Sequence, residues 1–182
     1  VGGFSVCKKV RAVTDANCIY YGDTRNAPYG NKPNDVIVGY IEADIIFLQE
    51  KGVTHFVNAC NSMSVLTTDM LLAKMGINPT IYVDMIRAFD TYAEFLSTDR
   101  VLVLATQATI TSGIYQTVLE QKNATTYTYI FEHLAYAIEN SLSRDELLQQ
   151  LVPTMQYAKE MNVTHIVYGC THYPLIHTVF VE

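Results

Sequence analysis

Two cysteines occupy the same place in two copies of one short pattern. Val53-Thr-His-Phe-Val-Asn-Ala-Cys60 and Val163-Thr-His-Ile-Val-Tyr-Gly-Cys170 agree at five of eight positions, with small residues matched at Ala59 and Gly169. The likeness continues upstream: Glu50 matches Glu160, Phe47 stands opposite Tyr157, and Gly52 opposite Asn162. Buried cysteine is common in cores, but each of these is followed by polar residues, Asn61-Ser62 in one copy and Thr171-His172 in the other, as in a site. Four chemistries compete for such a pair. A redox pair would suit a closer local motif, and the cysteines at 7, 18, 60 and 170 lie far apart. A metal needs ligands that are not evident: there is no Cys-x-x-Cys, and Cys170-x-His172 supplies at most two of the usual four. A nucleophile needs only one cysteine. Two thiols on opposite faces of one carbon suit proton transfer in both directions, a thiolate removing a proton from one face and a thiol returning one to the other, which is stereoinversion. A thiol of ordinary pKa near 8.5 needs activation. His172 is placed to help Cys170; no base adjoins Cys60.

The elements that must position these cysteines alternate between short β-branched runs and longer helical stretches. Cys18–Tyr21, His55–Val57, Thr80–Val83, Val101–Leu104 and His165–Tyr168 read as buried strands. Pro33 suits a first helical turn, after which Ile37, Tyr40, Ile41, Ile45 and Leu48 recur on one face. Ser143-Arg-Asp-Glu146 has the capping-box spacing, and Leu147, Leu148, Leu151, Met155 and Ala158 continue the apolar stripe, with Pro153 expected to kink that helix. Gly52 and Asn162 are residues that end helices in the left-handed conformation, so both copies of the repeat read as helix end, tight turn, strand, cysteine. The order βαβα predicts an α/β fold with mostly parallel sheets flanked by helices. Two copies 110 residues apart predict two pseudo-symmetric domains, about 1–86 and 87–182. Each cysteine then falls beyond a strand's carboxyl end, where open α/β sheets bind ligands, and the site lies in the cleft between the domains.

Composition narrows the partners. The 182 residues carry 12 Lys+Arg against 18 Asp+Glu, a net charge of −6, which argues against nucleic acid or an anionic membrane surface. With 49% hydrophobic and 16% charged residues the chain can bury a real core. No apolar run approaches the roughly 18 residues of a membrane span, and residues 1–9 lack the order of a signal peptide, so a soluble, cytoplasmic protein is expected. Asn123-Ala-Thr125 and Asn162-Val-Thr164 are then chance sequons.

Gly22-Asp-Thr-Arg-Asn-Ala-Pro-Tyr-Gly-Asn-Lys32, Ala59-Cys-Asn-Ser62 and Gly169-Cys-Thr-His-Tyr-Pro-Leu175 together resemble the glutamate racemases, of the cofactor-independent aspartate/glutamate racemase superfamily. The resemblance runs in order across essentially the whole chain, and Val1-Gly-Gly-Phe-Ser-Val6 is similar to the stretch just after that family's N-terminal Asp-Ser-Gly. It implies that Cys60 and Cys170 exchange the α-proton of glutamate with no cofactor and no metal, supplying D-glutamate for peptidoglycan. Pro28, Tyr29 and Gly30 would form the turn that holds a substrate carboxylate, its free N–H groups suiting an anion. Asn61, Ser62, Thr171 and His172 would bind the substrate's amino and carboxylate groups, with Ser62 in place of the family's usual threonine. Asp23 and Glu132 match acidic residues that assist catalysis, and the family implies a homodimer. The Asp-Ser pair that would partner Cys60 and the family's closing segment fall outside residues 1–182, so impaired turnover by this chain alone is expected. The alternatives are a non-catalytic amino-acid-binding relative and a racemase for aspartate or another acidic amino acid.

Overall fold

The two helix stops behave alike. In the computed structural model, which describes residues 2–30 and 32–181, Gly52 and Asn162 take φ of 76° and 51°. The N–H of Val53 then reaches back to the Leu48 carbonyl and that of Val163 to the Ala158 carbonyl, the six-to-one bond of a Schellman motif. Each turn redirects the chain from a 17-residue helix into a strand. The threonine and histidine that follow each turn also pair alike, Oγ1 to Nδ1, at 3.0 Å in Thr54-His55 and 2.9 Å in Thr164-His165.

The first half of the chain holds helices α1 (Gly2–Val13) and α2 (Asn34–Glu50), strand β1 (Phe56–Asn58), helices α3 (Asn61–Ser64) and α4 (Asp69–Lys74), strand β2 (Tyr82–Asp84) and helix α5 (Met85–Tyr92). There follow β3 (Arg100–Ala105), α6 (Gln107–Thr111), α7 (Ile114–Gln121), β4 (Thr125–Ile130), α8 (Leu134–Glu139), α9 (Arg144–Glu160), β5 (His165–Gly169) and α10 (His177–Phe180). β1 and β2 pair in parallel, Phe56 opposite Tyr82; the second sheet has the order β4-β3-β5, also parallel. Parallel pairing needs crossovers, and the helices supply them on the sheet faces.

The apolar stripe of α2 works as its spacing predicts: Ile37, Ile41 and Ile45 are buried against Phe56, Leu72 and Tyr82. Central strand β3 is buried on both faces, and its side chains alternate between them. Leu102 and Leu104 pack with Leu134, Leu147 and Leu151, while Val101, Val103 and Ala105 pack with Ile86, Tyr115 and Leu119. The Ser143–Glu146 capping box forms in full, and α9 continues through Pro153 to Glu160.

Two elements differ from expectation. Cys18–Tyr21 forms no strand: its apolar side chains find aromatic partners rather than a sheet, Tyr20 against Phe4 at 4.3 Å and Tyr21 against Phe47 at 4.8 Å between ring centroids. Conversely, Thr125–Ile130 is a strand that lacks an apolar run, because alternating Thr and Tyr suit a half-buried edge strand beside β3. Among the described residues no helix is long and apolar enough to cross a membrane.

Because Leu104 is fully buried at the centre of the second sheet, Leu104→Ala should lower stability by about 2–5 kcal/mol, measured by urea denaturation. A loss below about 1 kcal/mol would mean that this strand is not the core of the molecule.

Candidate active site

The two cysteines share one backbone setting. Cys60 lies two residues beyond β1 and caps α3 in an extended conformation; Cys170 follows β5 directly and precedes a short 3-10 turn, Tyr173–Ile176. Backbone N–H groups two and three residues downstream point at each sulfur: those of Ser62 and Met63 at Cys60, and those of His172 and Tyr173 at Cys170. These donors favour the thiolate, yet burial outweighs them at both sites. The Cys60 thiol is raised from its ordinary value, and Cys170 is pushed up to about 12, first by burial and in addition by the charge that Cys60 would carry. Each sulfur therefore rests as a thiol. The cleft beside Cys170 has a volume of about 280 Å³ and is lined also by Asn61, Thr171, Tyr115, Phe89 and Met85.

Hydrogen bonds between the two halves hold the strand ends together. Thr171 Oγ1 donates to the Ala59 carbonyl at 3.0 Å, Tyr115 Oη donates to Asn61 Oδ1 at 2.6 Å, and the Ser62 and Thr106 hydroxyls lie 2.9 Å apart. On the Cys60 side, Asn58 Oδ1 accepts the Cys60 N–H at 3.0 Å while its Nδ2 donates to Tyr82 Oη at 2.9 Å, fixing the backbone on which the sulfur sits. On the other side, the first turn of α1 presses against Thr171 and His172: a Cβ at Gly2 would lie 2.7 Å from Thr171 Oγ1 and 2.8 Å from His172 Nδ1, so that approach requires glycine.

The residues expected from sequence separate into three groups. Cys60, Asn61, Ser62, Cys170, Thr171 and His172 gather at the facing strand ends, with His172 Nδ1 3.6 Å from Cys170 Sγ. Asp23, Tyr29 and Gly30 form an adjoining loop on the Cys60 side: Tyr29 Oη donates to the Asp23 carboxylate at 3.0 Å, and Gly30 packs so closely on Thr106 that a Cβ would come within 2.9 Å of it. Pro28, in the same loop, is exposed. Nearby, Asp44 is raised to about 6 by burial and by the Asp23 charge. Glu132 lies apart from these. Its neighbour Phe131 points into the core, which sends Glu132 outward beside His133, at 3.7 Å, over a separate hollow shared with Gln149 and Pro153.

The carboxylate that does reach the site is Glu139, at the end of α8. His172 Nε2 lies 2.7 Å from Glu139 Oε1, and this hydrogen bond holds Glu139 below the usual carboxylate range. Nothing in the local sequence distinguishes Glu139 from other helix-end acids. Thr106 and Tyr115 were missed as well, although Thr106 carried a readable signal: it stands just beyond the carboxyl end of β3, as the cysteines do for β1 and β5.

The chain is 34% identical over 180 residues to the glutamate racemase of Koribacter versatilis (strain Ellin345), covering 96% of this chain and 61% of that protein. It is 31% identical over 184 residues to the glutamate racemase of Aquifex aeolicus (strain VF5), covering 96% of this chain and 68% of that one. The crystal structure of glutamate racemase from Francisella tularensis subsp. tularensis SCHU S4 in complex with D-glutamate superimposes with a TM-score of 0.84 at 26% identity, over 100% of this chain and 69% of the other. No protein-family model matches the chain.

The thiol environment has a measurable consequence. Burial that raises Cys170 from 9.0 to about 12 favours the neutral thiol in the folded state, so stability should fall as pH rises from about 9 to about 12, where the unfolded chain ionises and the folded one resists. Alkylation by iodoacetamide, followed peptide by peptide with mass spectrometry, should modify exposed Cys18 first and reach Cys170 only at strongly alkaline pH. Faster labelling of Cys170 than of Cys18 at pH 8 would contradict the buried, protonated thiol.

Proposed function

The chain belongs to the glutamate racemase family, and from that premise we propose that it interconverts L- and D-glutamate, with Cys60 and Cys170 as the two acid/base groups. What supports this most directly is the pairing of two thiols from opposite halves, Cys170 buried and Cys60 partly buried, each with backbone donors at the same two downstream positions. One thiol, once deprotonated, takes the α-proton from one face; the other delivers its own proton to the opposite face, and the roles exchange in the reverse direction. The product is D-glutamate for peptidoglycan synthesis.

Forming the thiolate is the costly step. With Cys170 near 12, ionisation at pH 8 costs roughly 5 kcal/mol at 1.36 kcal/mol per unit. A substrate ammonium about 4 Å from the sulfur would return about 4 kcal/mol at an effective dielectric of 20, so substrate binding itself is the main source of activation. His172, held by Glu139, is the group placed to accept the departing proton. Donors from Asn61, Ser62, Thr171 and the Tyr29-Gly30 turn would stabilise the negative charge that builds on the substrate carboxylate. The proposal extends to two domains of about 1–86 and 87–182 closing on this cleft, and to a cytoplasmic homodimer.

Proton NMR of L- and of D-glutamate in deuterated water tests it. The wild-type protein should exchange the Cα proton of both enantiomers, with Cys60→Ala and Cys170→Ala each lowering turnover by about 10³-fold or more and Glu139→Gln by about 10-fold or more. Racemisation that survives loss of either cysteine would overturn the two-thiol mechanism. Ligand binding by the wild-type protein with no deuterium entering Cα would leave a binding protein rather than a racemase.

A further inference from the structure

Tyr115 belongs to no part of the reaction described so far, yet it contacts both sides of the cleft. It lies in α7, is 3% exposed, and lines the same 280 Å³ cleft as Cys170 and Thr171. Its ring is fixed by Phe89, with centroids 4.8 Å apart, and by the backbone just before Cys170: a Cβ on Gly169 would touch the Tyr115 ring at 3.4 Å and the Ala105 side chain at 2.8 Å. The hydroxyl extends from this clamp to Asn61, itself 5% exposed and the residue after Cys60, and donates to Oδ1 at 2.6 Å.

We propose that Tyr115 is a positioning residue: by occupying the Asn61 carbonyl oxygen, it fixes the side-chain amide in one of its two orientations and leaves Nδ2 as the group offered to a substrate carboxylate. An asparagine amide is ambiguous. Unrestrained, it can turn its oxygen to an ammonium or its NH₂ to a carboxylate with almost no change of shape. The 2.6 Å bond from the phenol to Oδ1 biases the amide to that orientation. Burial and the nearby Cys170 raise the phenol's pKa, so the proton that this bond uses is retained. Asn61 is thereby assigned to the anionic end of the substrate, where charge grows as the α-proton leaves, rather than to the amino group. This rests on the racemase proposal for the nature of the substrate and deepens it by naming the residue that orients the Asn61 donor.

The test is a double-mutant cycle on glutamate turnover and binding. Tyr115→Phe keeps the ring and its packing and removes only the hydroxyl. It should raise the KM for glutamate about tenfold in the wild-type background and have no further effect in an Asn61→Ala background, whereas a purely structural role would give equal effects in both. Asn61→Asp supplies a second readout that does not depend on Tyr115→Phe folding: it keeps an acceptor for the tyrosine but has no donor, so the KM should rise at least as much as in Tyr115→Phe. Wild-type affinity in Asn61→Asp, or equal effects of Tyr115→Phe in both backgrounds, would overturn the assignment. If the wild-type protein itself neither binds nor exchanges glutamate, the racemase proposal fails and the assignment falls with it, an outcome read before any variant is compared.

Discussion

The structure depends on one constraint: two short strands, from sheets that share no backbone pairing, must end face to face with a sulfur just beyond each. Three side-chain contacts meet it. Thr171 to the Ala59 carbonyl, Tyr115 to Asn61 and Ser62 to Thr106 all bridge the same gap, and every one involves a residue within two positions of a cysteine or just beyond the end of β3. Hydrogen bonds between buried groups are short-ranged and directional, so they register the two halves far more sharply than apolar contact could. The large apolar clusters keep each half rigid. The polar bridges decide where the two sulfurs stand relative to each other.

That arrangement has an electrostatic cost, which the site retains rather than removes. Burial raises both thiols, and the charge of one would raise the other further. The N–H pairs beneath each sulfur reduce the penalty without cancelling it, so the protein itself favours the thiol at both positions. On the proposed reading, a substrate cation would offset that cost, tying activation to binding, while the protonated thiols resist oxidation and alkylation, which require the thiolate.

Most of this frame was legible in the sequence because repetition reveals supersecondary structure. The Val-Thr-His copies located two strands, two helix stops and two strand-end cysteines, and the structure has all six in equivalent form, down to the matched Schellman bonds. Periodicity was equally reliable for α2 and the capping box of α9. What sequence could not supply were properties set by neighbours. Cys18–Tyr21 has a strand's composition, but its rings stack on Phe4 and Phe47 and the segment joins no sheet. Thr125–Ile130 has few purely apolar residues, and only its position beside β3 makes it a strand. Glu139 reaches His172 because α8 ends near the turn after Cys170, a distance of 33 residues along the chain that no local pattern encodes.

The same repeat also shows where the symmetry ends. Down to the N–H groups beneath the sulfurs, the two cysteines are equivalent; beyond that their surroundings diverge. Cys170 has an ionisable neighbour, His172, anchored by a carboxylate that the hydrogen bond keeps charged. Cys60 has instead a fixed backbone, held through Asn58 and Tyr82, and nearby Tyr29 with Asp23 beneath it, a phenol that burial and the Asp23 hydrogen bond keep protonated, so that it offers no basic form. On the proposed reading, two acid/base groups with equal roles would draw on unequal help: a proton leaving Cys170 would have His172 beside it, whereas among the described residues no such group adjoins Cys60. Pseudo-symmetric halves can place two thiols on opposite faces of one carbon, but the mirror-related halves of the reaction need not follow mirror-related proton routes.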